Sequence, residues 1–222
     1  MCAGLTAVQL RWMLLGIALL FAFPQVRHAA ARGWGVVRGA MRAQQEARAR
    51  DARVAEYARR YGISFETADA VERAARAEGL DVELAFRLVR VESGFRSDAV
   101  SHAGAVGMTQ LMPVTAQDLQ PGVTHADLLD RDTNLRLGFR YMGRLLRVYG
   151  GDRETALHAY NRGIGTVARI RARGGDPANG YARAVLGTKG ASAVGSHPGS
   201  AAAPPADERL HELAPIPVPA TP

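Results

Sequence analysis

Through the middle of the chain, apolar residues recur at helical spacing. Ser64 is placed to cap a helix running to about Glu78, with Ala68, Val71, Ala74 and Ala75 on one face and Gly79 as its stop. Asp81 caps the next, whose stripe is Val82, Ala85, Phe86 and Val89, the i, i+3, i+4, i+7 pattern of a core-facing helix. Glu92 lies three residues further along that stripe. A Gly/Ser/Ala-rich loop follows from Ser93 to Gly107, and Pro113 opens a short helix at the position where its missing N–H is harmless. Asp130 caps a long helix with the stripe Leu135, Phe139, Met142, Leu146 and Tyr149, ended by Gly150 and Gly151. Asp152 caps another, broken by Gly163 and Gly165, and a short helix covers Val167 to Ala172. No run alternates with a period of two, so the domain reads as all-α or mainly α.

The two ends follow other patterns. Arg11 precedes an unbroken apolar run, Trp12 to Phe23, closed by Pro24. Its length suits the apolar region of a signal peptide and falls short of the ~20 residues of a spanning helix. Ala29-Ala30-Ala31 offers a small-residue cleavage site, although Arg27 and His28 are unusual neighbours for one, which leaves an uncleaved N-terminal anchor as the alternative. Residues 38–60 are rich in Ala, Arg, Gln and Glu with a thin apolar stripe, the pattern of a solvated basic helix or spacer. Residues 187–222 are rich in Gly, Ala, Ser and Pro and hold too little apolar surface to offset chain entropy, so they read as a disordered tail. The expected organisation is an export segment over 1–31, a basic helical linker over 32–61, one domain over 62–186 and a tail over 187–222.

Composition narrows the partners and the chemistry. The chain has 222 residues, 47% of them hydrophobic and 6% aromatic, so its core must rest on Leu, Val, Ala and Met. The net charge is +7, and Lys189 is the only lysine, so the basic character is arginine and favours an anionic partner. Nucleic acid is disfavoured by the export signal and the lack of a recognition-helix pattern. Cys2 is the single cysteine, which excludes an internal disulfide and any Cys-based zinc site. It precedes the apolar run and so is not the lipid-modified cysteine of a lipoprotein. The histidines, His28, His102, His125, His158, His197 and His211, show no metal-ligand spacing, and no cofactor is expected.

Glu92 carries the chemical signal. A carboxylate ending an apolar stripe is costly to bury, and desolvation raises its pKa until it can donate a proton near neutral pH. Glycosidic bond cleavage asks this of its general acid. A second carboxylate would serve ordinary glycoside hydrolysis, but the nearest in sequence, Asp98, sits in a polar stretch and reads as solvated. With one carboxylate, the nucleophile must come from the substrate or from a positioned water. The loop after Glu92 is expected to be flexible enough to fold over it.

The residues around Glu92 resemble a known family. Glu92-Ser93-Gly94-Phe95, Ala99-Val100-Ser101, Gly104-Ala105-Val106-Gly107, Gln110-Leu111-Met112-Pro113 and Thr115-Ala116 are similar to the E-S-x-F, A-x-S, G-A-x-G, Q-x-M-P and T-A series of the soluble lytic transglycosylase (SLT) domain family. Asn134, Gly138 and Tyr141 fit its N-x-x-x-G-x-x-Y helix, and Ala159-Tyr160-Asn161 with Gly163 fits its A-Y-N-x-G motif. The resemblance spans roughly 78–172. It implies a lysozyme-like fold with peptidoglycan glycan strands in a groove. It also implies cleavage between N-acetylmuramic acid and N-acetylglucosamine by Glu92, closing a 1,6-anhydro sugar without water. It places Ser101, Gln110 and Met112 along the groove, Tyr160 beside the catalytic carboxyl and Asn161 in support. The expected setting is an apolar wall of Val89, Phe95 and Met112, with Tyr160 holding the carboxyl by a hydrogen bond. The expected compartment is the periplasm or cell envelope, with the N-terminus as a membrane tether if it is not cleaved. There the enzyme would serve general wall remodelling or a secretion or conjugation apparatus.

Two positions depart from the family pattern. Met108-Thr109 stands where Leu-Met is usual before Gln110, and Arg162 replaces a small residue of A-Y-N-x-G. The first is expected to alter subsites, and the second to face solvent. Rival readings of the same fold are a wall-binding or secretion-assembly protein without activity, and a goose-type hydrolase that uses water.

Overall fold

A computed structural model describes residues 24–187 together with Val8, Arg11 and Trp12, with side chains described from Val37 onward in the first helix. Most of the expected export segment and the tail beyond Gly187 lie outside the described residues. Among the described residues no helix is long and apolar enough to cross a membrane.

The helices, in chain order, are α1 (Pro24–Tyr61), α2 (Phe65–Ala77), α3 (Val82–Ser93), α4 (Pro113–Leu119), α5 (His125–Leu129), α6 (Arg131–Val148), α7 (Arg153–Arg162), α8 (Ile164–Ala172) and α9 (Tyr181–Leu186). Extended pairing among the described residues is limited to two isolated bridges, Val100 with Val106 and Val106 with Leu111. The fold is mainly α, as the periodicity implies.

The chain divides into two compact units, Met1–Arg53 and Val54–Pro222. In the first, the α1 residues from Val37 to Arg53 are almost all exposed. The second unit starts earlier than the composition suggests. Val54 is fully buried, and Tyr57 and Tyr61 stack on Phe86 with centroids 4.2 and 5.3 Å away. These aromatics are masked in the sequence by the arginines around them, whose side chains remain at the surface.

The expected caps form. Ser64 Oγ accepts from Thr67 N, Asp81 Oδ1 from Leu84 N and Asp130 Oδ1 from Thr133 N, each satisfying an otherwise unpaired first-turn donor. Asp152 does the same for Glu154 and Thr155. Helix α5 has no long apolar stripe to reveal it, but Thr124 and Asp127 form a reciprocal capping box at its start. Phe86, Leu88 and Val89 of α3 and Leu135, Phe139 and Met142 of α6 are fully buried at the centre of the core. The stripe that ends in Glu92 is therefore packed along its length. Leu146 and Tyr149 at the far end of the α6 stripe are only half-buried.

Candidate active site

Helix α3 delivers Glu92 in its last turn and then reverses sharply. Gly94 and Phe95 both adopt left-handed backbone, with φ of 60° and 67°. That conformation costs a non-glycine residue about 1 kcal/mol or more. Phe95 is held in it by its ring, which meets Tyr61 edge-on at 5.4 Å and lies 6.2 Å from Phe86. Phe95 thus belongs to the aromatic cluster of α1 and α3.

The loop between α3 and α4 is fastened along its length rather than free to fold over Glu92. Ser93 Oγ donates to Met108 O at 2.7 Å, and Gly107 N donates to Ala99 O at 2.7 Å. Val106 and Leu111 exchange both backbone bonds at 3.0 Å. Gln110, with φ of 47°, turns its amide back to donate to Ala99 O and Gly107 O. Ser101 Oγ accepts from Ala105 N at 3.0 Å. Met112, half-buried, is the N-terminal flank of α4.

Asn134, buried in the first turn of α6, locks this loop from beneath. Its amide nitrogen donates to Val106 O and Leu128 O, both at 2.9 Å, and its oxygen accepts from Thr109 N and Thr109 Oγ1, both at 2.8 Å. Thr109 is fully buried and lies against Gly138, where an added Cβ would come within 2.3 Å of the Thr109 hydroxyl. The departure from the family pattern at this position is therefore a core contact. The small hydroxylated side chain fits over Gly138 and uses the spare acceptor capacity of Asn134.

The carboxyl of Glu92 accepts a hydrogen bond from Tyr181 Oη, the first residue of α9. Burial pushes the Glu92 pKa from an ordinary 4.5 up to about 7, and the Tyr181 bond, which favours the charged form, opposes that rise. A carboxyl so poised is substantially protonated at neutral pH, can donate a proton and can take one back. The titratable groups coupled to it are Tyr181 and Tyr160. Burial first, and then the Glu92 charge, push both phenols well above their ordinary range.

Tyr160 does not bond Glu92, contrary to the expectation. Its hydroxyl donates to Thr109 O at 2.8 Å and its ring packs 5.3 Å from Tyr141. The phenol that holds the carboxyl is instead Tyr181, from a helix the sequence reading missed. Its only signal was a short apolar run, Tyr181, Ala182, Val185 and Leu186, bounded by Gly180 and Gly187. Asn161 lies one link behind. Its Oδ1 accepts from Asn179 Nδ2 at 2.8 Å, and Asn179 Oδ1 accepts from Tyr181 N at 3.2 Å. Arg162 donates to Pro177 O at 3.0 Å and is half-buried, so it does not simply face solvent. Asp98 is exposed, as its polar neighbours suggested.

A half-buried acid at the end of a packed helix, followed by a loop pinned to a second long helix, defines a mainly α domain of the lysozyme-like class. Residues 69–180, half of the chain, match the Transglycosylase SLT domain. The chain belongs to that family. It is 32% identical over 114 residues to membrane-bound lytic murein transglycosylase C of Cronobacter sakazakii, covering 45% of this chain and 32% of that protein. It is 30% identical over 116 residues to the protein of the same name from Haemophilus influenzae, covering 45% and 32%. The chain thus spans about a third of the length of these curated relatives. Among solved structures, a complex of the 70-kDa soluble lytic transglycosylase with bulgecin A superposes with a TM-score of 0.50. The two are 26% identical, and the match covers 59% of this chain and 24% of that one.

Proposed function

We propose that this chain is a peptidoglycan lytic transglycosylase acting in the cell envelope. It would cleave the β-1,4 bond from N-acetylmuramic acid to N-acetylglucosamine and leave a 1,6-anhydromuramyl end. The observation that carries the reading is Glu92, half-buried at the end of α3 with desolvation pushing its pKa up to about 7 and its carboxyl held by Tyr181. In the protonated form Glu92 gives its proton to the glycosidic oxygen, and the C1–O bond breaks. The carboxylate left behind takes the proton of the muramyl C6 hydroxyl as that oxygen bonds to C1. The acid returns to its starting state and no water is consumed, so one carboxyl suffices. Ser101, Gln110, Met112, Tyr160 and Asn161 form or support the groove wall on this reading. The family membership and the lytic transglycosylases among its relatives support the same chemistry. The apolar run Trp12 to Phe23 supports export. In the envelope the enzyme would serve wall remodelling or open the wall for a secretion or conjugation apparatus.

Incubating purified sacculi with the full chain and weighing the released muropeptides tests the reaction. The expected products carry anhydro ends, lighter by one water than hydrolysed ends, and Glu92→Gln releases none. Hydrated reducing ends would instead identify a hydrolase. Sacculus binding without release by the wild-type chain would identify a binding protein. A fusion of residues 1–40 to a reporter active only after export tests the compartment, and a silent reporter refutes it.

A further inference from the structure

The six-residue helix α9 is far too short to hold itself together, since isolated helices below about a dozen residues are marginal in water. It has no side-chain N-cap, and its apolar anchors are Ala182 and Val185, with Leu186 half-buried. Yet Tyr181, on its first turn, must keep its hydroxyl on Glu92. The bonds that fix α9 come from two arginines and an asparagine on other helices. Arg87 of α3 lies on the helix that ends in Glu92, and its Nη1 donates to Leu186 O at the C-terminal end of α9. Glu83 accepts from Arg87 Nε at 2.8 Å and also from Arg60 Nη1 at 2.9 Å, so the guanidinium is itself held in place. On the other flank, Arg162 at the end of α7 donates to Pro177 O in the segment leading into α9. Between them, Asn161 bonds Asn179, which accepts the backbone N–H of Tyr181.

We propose that Arg87 and Arg162 are positioning residues that hold Tyr181 against Glu92, one from each flank of α9, with Asn161 as the middle tether through Asn179. Arg162 is the residue by which this chain departs from the small residue of the family motif, and the contact it makes gives that departure a purpose. Both arginines act on backbone carbonyls, so their effect passes through the position of α9 and needs no contact with substrate. A carbonyl at a helix end otherwise lacks a partner, and a charged donor makes the stronger class of hydrogen bond to it.

The inference rests on Glu92 being the functional acid, and its test is read without activity. Carbon-13 NMR of the Glu92 carboxyl in the folded full-length chain gives the titration midpoint for wild type, Tyr181→Phe, Arg87→Met, Arg162→Met and each arginine variant combined with Tyr181→Phe. The Tyr181 bond favours the carboxylate, so Tyr181→Phe is expected to raise the midpoint. Each arginine variant is expected to raise it in the same direction by less, and to add nothing once Tyr181 is Phe. An arginine acting through space as a charge would instead add its shift to that of Tyr181→Phe, which overturns the proposal. So do unmoved midpoints in both arginine variants. Should Arg87→Met melt below the assay temperature, Arg162→Met decides alone. Turnover on sacculi should fall about tenfold in each arginine variant with KM unchanged. If the titrations behave as expected while Glu92→Gln remains active, the tethers stand and the catalytic reading fails.

Discussion

Replacing Glu92 by Gln should stabilise the protein, and only at neutral to alkaline pH. The carboxyl has an ordinary pKa of 4.5 in an unfolded chain and about 7 in the fold. Between those values the native state binds the proton more tightly than the unfolded state. Stability therefore falls as pH rises through the window and levels off above it. A shift of this size, at about 1.4 kcal/mol per unit, costs the wild type about 3 kcal/mol by pH 8. At pH 4 the group is neutral in both states and costs almost nothing. Glutamine has the same shape, keeps an oxygen to accept the Tyr181 hydroxyl, and never ionises. Other titrating groups are common to both proteins and cancel in the difference. The two stability curves should therefore lie a constant distance apart at low pH and diverge between pH 5 and pH 7. By pH 8 the variant should have gained about 3 kcal/mol, or roughly 10 °C in melting temperature for a domain of this size. Urea unfolding of both proteins at unit steps of pH measures this directly. Curves that stay parallel from pH 4 to pH 8 would show that the fold imposes no cost on the charged carboxyl, and the account of Glu92 as a neutral-pH acid would collapse.

Three further perturbations probe the walls of the site. Tyr160→Phe removes a neutral hydrogen bond to Thr109 O and should lower stability by about 1 kcal/mol while leaving the Glu92 titration where it is; a shift matching that of Tyr181→Phe would mean that the wrong phenol has been assigned. Asn134→Ala strands the Thr109 N–H and removes the side-chain donor to Leu128 O, while Val106 O keeps the Leu111 N–H, and should cost about 2–5 kcal/mol in denaturant unfolding, a loss below about 1 kcal/mol being incompatible with the lock described. Gly138→Ala drives a methyl into Thr109, with 2.3 Å to its hydroxyl, and should destabilise by about 1–3 kcal/mol; a variant that melts at the wild-type temperature would place Thr109 elsewhere.

Much of this protein is written locally. Ser64, Asp81, Asp130 and Asp152 each cap a helix because the bond is made within three residues, and sequence spacing alone decides that. The α3 stripe is just as local, and so is the position of Glu92 at its end, with the inference that its carboxyl is desolvated. The motif around Glu92 and the A-Y-N-x-G segment likewise carried the family, since their residue types and spacings are read directly along the chain. Tertiary structure decided which groups meet. Tyr160 and Tyr181 are both tyrosines near Glu92, and nothing local tells that the first turns to Thr109 O while the second, 89 residues from the acid along the chain, reaches the carboxyl. Thr109 reads as a changed subsite until Gly138, on α6 and two helices further along the chain, is seen to leave room for it. Tyr57 and Tyr61 read as part of an arginine-rich spacer until Phe86 arrives from α3 to cover them. Arg162 reads as a solvent-facing side chain until the chain returns with Pro177. In each case the sequence fixes the side chain's chemistry, while its partner is set by the packing of distant helices, whose pairings no local spacing encodes.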